Sequence, residues 1–181
     1  ELNTRVKNLS DYKTILEKDP NDAKALMSLA DYSRNQGDEK KYSEYAKRAF
    51  SNKSIGVDTK IAILYNYIQE SEKDATKLKD AYEYAELLTE AHPEEAKVWA
   101  IYGDIYNIDQ QPKKALENYK KSLELRKDIF SVWQQAFFIQ SDAKQFDELI
   151  EYTEEAKELF PNQSLLYFFN GLAYQEKKNL E

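Results

Sequence analysis

The stretch Trp99-Ala100-Ile101-Tyr102-Gly103-Asp104-Ile105-Tyr106 decides how this chain folds. Trp99, Tyr102, Gly103 and Tyr106 stand at i, i+3, i+4 and i+7, which puts all four on one side of a helix. Ala115 and Tyr119 follow, and the tail repeats the first pattern as Tyr167, Asn170, Gly171 and Tyr174. Trp99 and Trp133 lie 34 residues apart, and Pro93–Pro161 and Gly103–Gly171 are each separated by 68, twice that period. A fixed period of this length marks one helical unit used several times. Pro20, Pro93 and Pro161 share a phase between units, where a residue without an N–H ends a helix. Pro112 falls instead where a helix begins, and there its missing N–H is harmless.

This pattern resembles the tetratricopeptide repeat (TPR): a Trp, then Leu-Gly, then Tyr, then Ala with an aromatic four later, and Pro near the end. The resemblance implies an all-α fold, an α-solenoid of antiparallel helix pairs in a right-handed superhelix, with about ten helices. Phasing the period divides residues 1–181 into a half-repeat at 1–22 and repeats at 23–56, 57–95, 96–129 and 130–163. Residues 164–181 form the first helix of a truncated repeat. The second repeat is five residues longer, and the surplus is expected at Glu70-Ser71-Glu72-Lys73-Asp74, where its helices turn. A single helix pair cannot bury both faces, so such units stack.

Composition narrows the function. The 181 residues are 41% hydrophobic and 33% charged, with 14 Tyr and 8 Phe, enough apolar material for a core. Four Gly and four Pro signal too few turns for a sandwich of short strands. The absence of Cys rules out disulfides and thiol chemistry, and a single His rules out a His-pair zinc site. No phosphate-binding Gly-rich loop or nucleophile-elbow motif is present, and the carboxylates sit on charge-rich helical faces. The expectation is no enzyme, no cofactor and no metal. His92, ahead of Pro93, is expected to be exposed or to cap a helix. Net charge of −7 argues against a nucleic-acid partner. By repeat the charge alternates, +3, −6, +2 and −5, which either pairs neighbouring repeats or is surface variation. No apolar run reaches transmembrane length. The chain starts Glu1-Leu2-Asn3 without an initiator Met, which reads as an internal or processed piece of a soluble protein. The compartment, cytoplasmic or periplasmic, stays open.

The resemblance also implies where a partner binds: the concave groove lined by the first helix of each pair. By phase this face includes Lys24, Met27, Asp31 and Arg34, then Ile61, Tyr65 and Ile68, then Asp104 and Asn107, then Phe138, and last Phe168 and Leu172. A basic clamp for a peptide carboxylate does not carry over, because Met27, Asp31 and Ile101 stand where its Lys, Asn and Arg would be. The apolar patches Ile61–Tyr65–Ile68 and Phe138–Phe168–Leu172 suit an apolar peptide or amphipathic helix. The expected function is a non-catalytic scaffold for protein or peptide segments. The alternatives are a docking module of a larger enzyme and a sugar-binding helical repeat. Leu165, Leu166, Phe168, Phe169, Leu172 and Tyr174 wrap the last helix in apolar surface, so self-association through it is expected, with Val6, Leu9 and Tyr12 as the complementary surface.

Overall fold

A computed structural model describes the backbone of residues 2–180 and the side chains of residues 9–179. The described residues form ten helices and no strand: α1 (Leu2–Lys18), α2 (Ala23–Asn35), α3 (Glu39–Ser51), α4 (Val57–Ser71), α5 (Ala75–Ala91), α6 (Ala96–Ile108), α7 (Pro112–Leu125), α8 (Phe130–Asp142), α9 (Phe146–Leu159) and α10 (Ser164–Leu180). They fall into two compact units, Glu1–Pro93 and Glu94–Glu181. The side chain of Val6 lies outside the described residues.

Capping aspartates explain three of the helix starts. Asp22, Asp38 and Asp74 are N-caps whose carboxylates accept from the amides of Ala25 at 2.6 Å, Lys41 at 3.1 Å and Thr76 at 3.0 Å. Pro112 is the first residue of α7, as its sequence position requires. The helix ends carry the period in a form the side chains do not show. Gly37, Gln110 and Lys144 follow α2, α6 and α8 with φ of 73°, 56° and 57°. One residue later, the amides of Asp38, Gln111 and Gln145 reach back to the carbonyls of Ser33, Tyr106 and Gln140 at 2.9 Å. This is a Schellman end, which requires a left-handed residue; only the first copy uses glycine for it. The surplus of the second repeat does not form a long loop. It lengthens α4 to 15 residues and α5 to 17, leaving three residues between them.

In the first unit the core is aromatic. Phe50 stacks on Tyr84 at 4.5 Å, and Tyr67 meets Tyr84 edge-on at 5.1 Å. In the second unit Tyr119, Trp133, Phe137 and Phe169 share one core with Ala115, Ala136 and Leu149. Gly103 is needed there: a Cβ on it would lie 2.5 Å from the Tyr119 ring. At Gly171 the same addition meets nothing within 4 Å.

Some of the alternating repeat charges become ion pairs between consecutive helix pairs. In the first unit, Arg34 of α2 grips the buried Asp80 of α5, while Lys77 of α5, 3.9 Å from Asp31 of α2, pairs in the opposite sense. In the second, Lys120 of α7 pairs with Glu148 of α9 at 3.0 Å, and Lys127 pairs with Glu155.

Candidate functional site

On α8 and α10 the apolar residues outnumber the positions that can be buried. Val132, Trp133, Ala136, Phe137 and Ile139 fill the inner side of α8, and Leu166, Phe169 and Ala173 fill that of α10. Phe138 is left 49% exposed and Phe168 61% exposed. Both rings contact the buried ring of Phe169, Phe138 at 5.0 Å and Phe168 at 5.3 Å, each nearly perpendicular to it. Two solvent-facing phenyl groups are thereby packed edge-on against one core ring. Leu172, one turn beyond Phe168, is half-buried beside them. Of the six apolar residues expected to wrap α10, Leu166 and Phe169 are core instead, because α9 and α8 pack on that side. On α6, Asn107 is exposed, while half-buried Asp104 accepts a hydrogen bond from the Tyr119 hydroxyl at 2.8 Å.

In the first unit a groove of about 390 Å³ runs between α2 and α4. Lys24, Met27, Ser28 and Asp31 form one wall, and Thr59, Ala62, Ile63, Asn66, Tyr67 and Glu70 form the other. The α2 wall contains three residues placed there by phase. Arg34, the fourth, turns away to Asp80, where its guanidinium also lies 4.0 Å above the Tyr42 ring. On α4 the groove residues are neighbours of those expected. Ile61 is half-buried, Tyr65 is exposed, and Ile68 is buried at 8% exposure, so it serves the core. The groove also carries a polar contact: the Tyr67 hydroxyl donates to Asp31 at 2.7 Å, and Lys77 sits 4.7 Å above the Tyr67 ring. Burial, with the Asp31 carboxylate beside it, pushes the Tyr67 phenol well above its ordinary range.

No protein-family model and no curated protein matches the sequence. Solved structures do. One is a crystal structure of MamA, at a TM-score of 0.59 and 18% identity over 86% of this chain and 82% of that one. YrrB, described as a TPR protein with an unusual peptide-binding site, gives 0.58 and 18% over 94% and 85%. TTC0263, a thermophilic TPR protein in Thermus thermophilus, gives 0.54 and 18% over 96% and 92%. The chain has the TPR fold. Its helix pairs are those of an α-solenoid.

Within the TPR phase, Lys60 stands where Leu26, Trp99 and Trp133 stand in the other repeats. It is fully buried. Its ammonium donates to the carbonyls of Phe50 at 2.9 Å and Asn52 at 2.7 Å, which close the end of α3, and lies 3.0 Å from Nε2 of His92. His92 ends α5, its amide bonded to Leu88, so the capping expectation fits its place. It is buried rather than exposed, because α4 brings Lys60 against it. An ammonium has only donors, so opposite it Nε2 serves as the acceptor. Burial lowers the Lys60 ammonium to about 8. Its partners are the carbonyl ends of helices, where the dipole favours a cation. Sequence phase alone could have flagged a lysine in a tryptophan's position, but not its three acceptors. A second missed feature joins Arg34, Asp80, Tyr42 and Tyr84. The Arg34 guanidinium donates to both Asp80 oxygens, the Tyr42 hydroxyl donates to Asp80 at 3.2 Å, and the Tyr84 hydroxyl donates to Tyr42 at 2.7 Å. This network ties three helices of the TPR core together. Among the described residues no acidic or histidine cluster suits a metal ion, and no helix is long and apolar enough to cross a membrane.

Proposed function

We propose that the chain is a non-catalytic scaffold whose first-of-pair helices bind a protein or peptide segment. Phe138, Phe168 and Leu172 form the principal anchor site. The exposed pair of phenyl rings around Phe169 carries this reading, because fixed aromatic groups in solvent gain most when a partner covers them. Ile61, Tyr65, Ile68, Asp104 and Asn107 extend the same phase to the other repeats; exposed Tyr65 and Asn107 have surface to offer, and Ile68 shapes the helix from within. The TPR fold, and a peptide-binding site in one structural neighbour, support the class of ligand. The reading treats residues 1–181 as one array divided at 23–56, 57–95, 96–129 and 130–163. The left-handed turn recurring at Gly37, Gln110 and Lys144 supports that division.

The test is selection of peptides from a displayed random library against the intact chain, followed by rebinding to Phe138→Ser/Phe168→Ser. Both rings are about half exposed or more, so the variant keeps its helices. Selected peptides should lose binding to it and keep binding to an Ile15→Ser control. Equal binding to wild type and the double variant would refute the anchor site.

A further inference from the structure

Gly103 and Tyr119 mark the point where the two helices of a repeat cross: the Tyr119 ring fills the space that a Cβ on Gly103 would need. The same two phases trade size in the other repeats. Ala30, Leu64 and Phe137 stand at the first phase, and Ala46, Ala85 and Thr153 at the second. All eight residues are buried, and no repeat has a large residue at both phases. α10 has Gly171 at the first phase, 68 residues after Gly103, exposed and with nothing within 4 Å of its Cβ position. Tyr167 and Tyr174, one turn to either side of it, are each 52% exposed, whereas Trp133 and Gln140 of α8, 34 residues earlier, are buried. α10 packs on α9 and α8 through Leu166, Phe169 and Ala173 instead. α1 has the complementary form. Its Tyr12 and Ile15 stand 34 residues before Ala46 and Ala49 of α3, so they take the second phase and the one a turn beyond it. Ala46 and Ala49 are buried, but Tyr12 is half-buried and Ile15 is 39% exposed.

We infer that the chain associates head to tail, α1 of a second copy packing on α10 with its Tyr12 ring over Gly171 as the Tyr119 ring lies over Gly103. Size selects this occupant. A glycine at the crossing packs closely only against a ring, because a small residue opposite it leaves a void. α1 brings that ring in the phase that requires it, with Ile15 one turn on to lie beside Tyr167. Leu172 follows Gly171 where Asp104 follows Gly103 to accept from Tyr119, so packing holds the docked ring and its hydroxyl does not. The contact is separate from the anchor site: Phe168 and Leu172 stand about a third of a turn round α10 from Tyr167, Gly171 and Tyr174. It joins two different surfaces, so each added copy offers a further open end and association is not limited to a dimer.

Sedimentation velocity of the intact chain at rising concentration should show species larger than a dimer. Tyr12→Ala and Gly171→Leu should each weaken association about thirtyfold or more, while Tyr12→Phe should associate as the wild type does. Tyr12 is half-buried and Gly171 exposed, so these variants keep their helices. Gly171→Phe should not associate alone. Combined with Tyr12→Thr in one chain it copies the Phe137–Thr153 arrangement, and association should return. An equimolar mixture of Tyr12→Ala, with α10 intact, and Gly171→Leu, with α1 intact, should stop at a heterodimer. A wild type that stays monomeric at every concentration would overturn the inference. So would a mixture that forms no heterodimer, or a Gly171→Phe/Tyr12→Thr chain that stays monomeric. Association that Tyr12→Ala leaves unchanged would pair α10 with something other than α1, and association lost in Tyr12→Phe would assign the contact to the hydroxyl; either result sinks the ring-on-glycine contact. Association lost in Phe138→Ser/Phe168→Ser and kept in Gly171→Leu would move it to the anchor site, and the inference would fall.

Discussion

Replacing Lys60 by methionine removes an ammonium from a position with no solvent exposure and leaves a side chain of similar length. Lys60 ionises near 8 in the folded chain against an ordinary 10.5. That difference corresponds to about 3 kcal/mol of cost for holding it charged below pH 8. Between the two values the unfolded chain keeps a proton that the folded chain has released, so stability rises with pH across that window. Below pH 8 both states are charged and the cost is fully present. Integrating from pH 7 to 9.5 gives the wild type a gain of about 2 kcal/mol over Lys60→Met. The tyrosines pull the other way above pH 10, because Tyr42, Tyr67 and Tyr84 ionise with more difficulty when folded. They are common to both proteins and cancel in the difference. Lys60→Met also removes the donor from the carbonyls of Phe50 and Asn52, a loss already present at pH 7. Urea unfolding of both proteins at intervals from pH 7 to 9.5 tests this: the offset at pH 7 combines the lost hydrogen bonds with the full cost of the buried charge, and the slope reports the release of that charge. A stability difference that stays flat over the window would show that Lys60 is not desolvated and would refute the reasoning.

Three further outcomes follow from the packing. Gly103→Ala should destabilise by about 1–2 kcal/mol, because overpacking against the hydrogen-bonded Tyr119 ring outweighs the better helix propensity. Gly171→Ala, with open space around it, should stabilise by up to about 1 kcal/mol; thermal unfolding of both variants checks that the signs are opposite. Lys144→Gly should stabilise by about 1 kcal/mol by relieving a left-handed non-glycine residue, and an unchanged urea midpoint would deny that strain. Tyr167 and Tyr174 are exposed on α10, so the chain should self-associate with rising concentration in sedimentation, and Tyr167→Lys/Tyr174→Lys should be monomeric. A wild type that stays monomeric throughout would dispose of that surface as a contact.

Helix number was legible along the chain because its signals are local: periodic apolar residues and helix-ending prolines act within a few residues of themselves, whereas the left-handed ends at Gln110 and Lys144 carry no such side-chain mark. Phase also placed Phe138, Phe168 and Leu172 on one stripe, since helical geometry alone relates them. It could not say that Leu166 and Phe169 would be buried while Phe168 stayed in water, because that depends on which side α8 and α9 cover. The same limit hid the fate of charge. Sequence displayed the alternation of basic and acidic repeats, but only packing determined that Arg34 would reach Asp80 and Lys120 would reach Glu148. Lys60 marks the boundary most plainly. Its position in the repeat was fixed by the sequence, and a lysine there would ordinarily be read as surface. Tertiary structure buried it, because the carbonyl end of α3 and the His92 ring together supply acceptors that no neighbour in the chain provides.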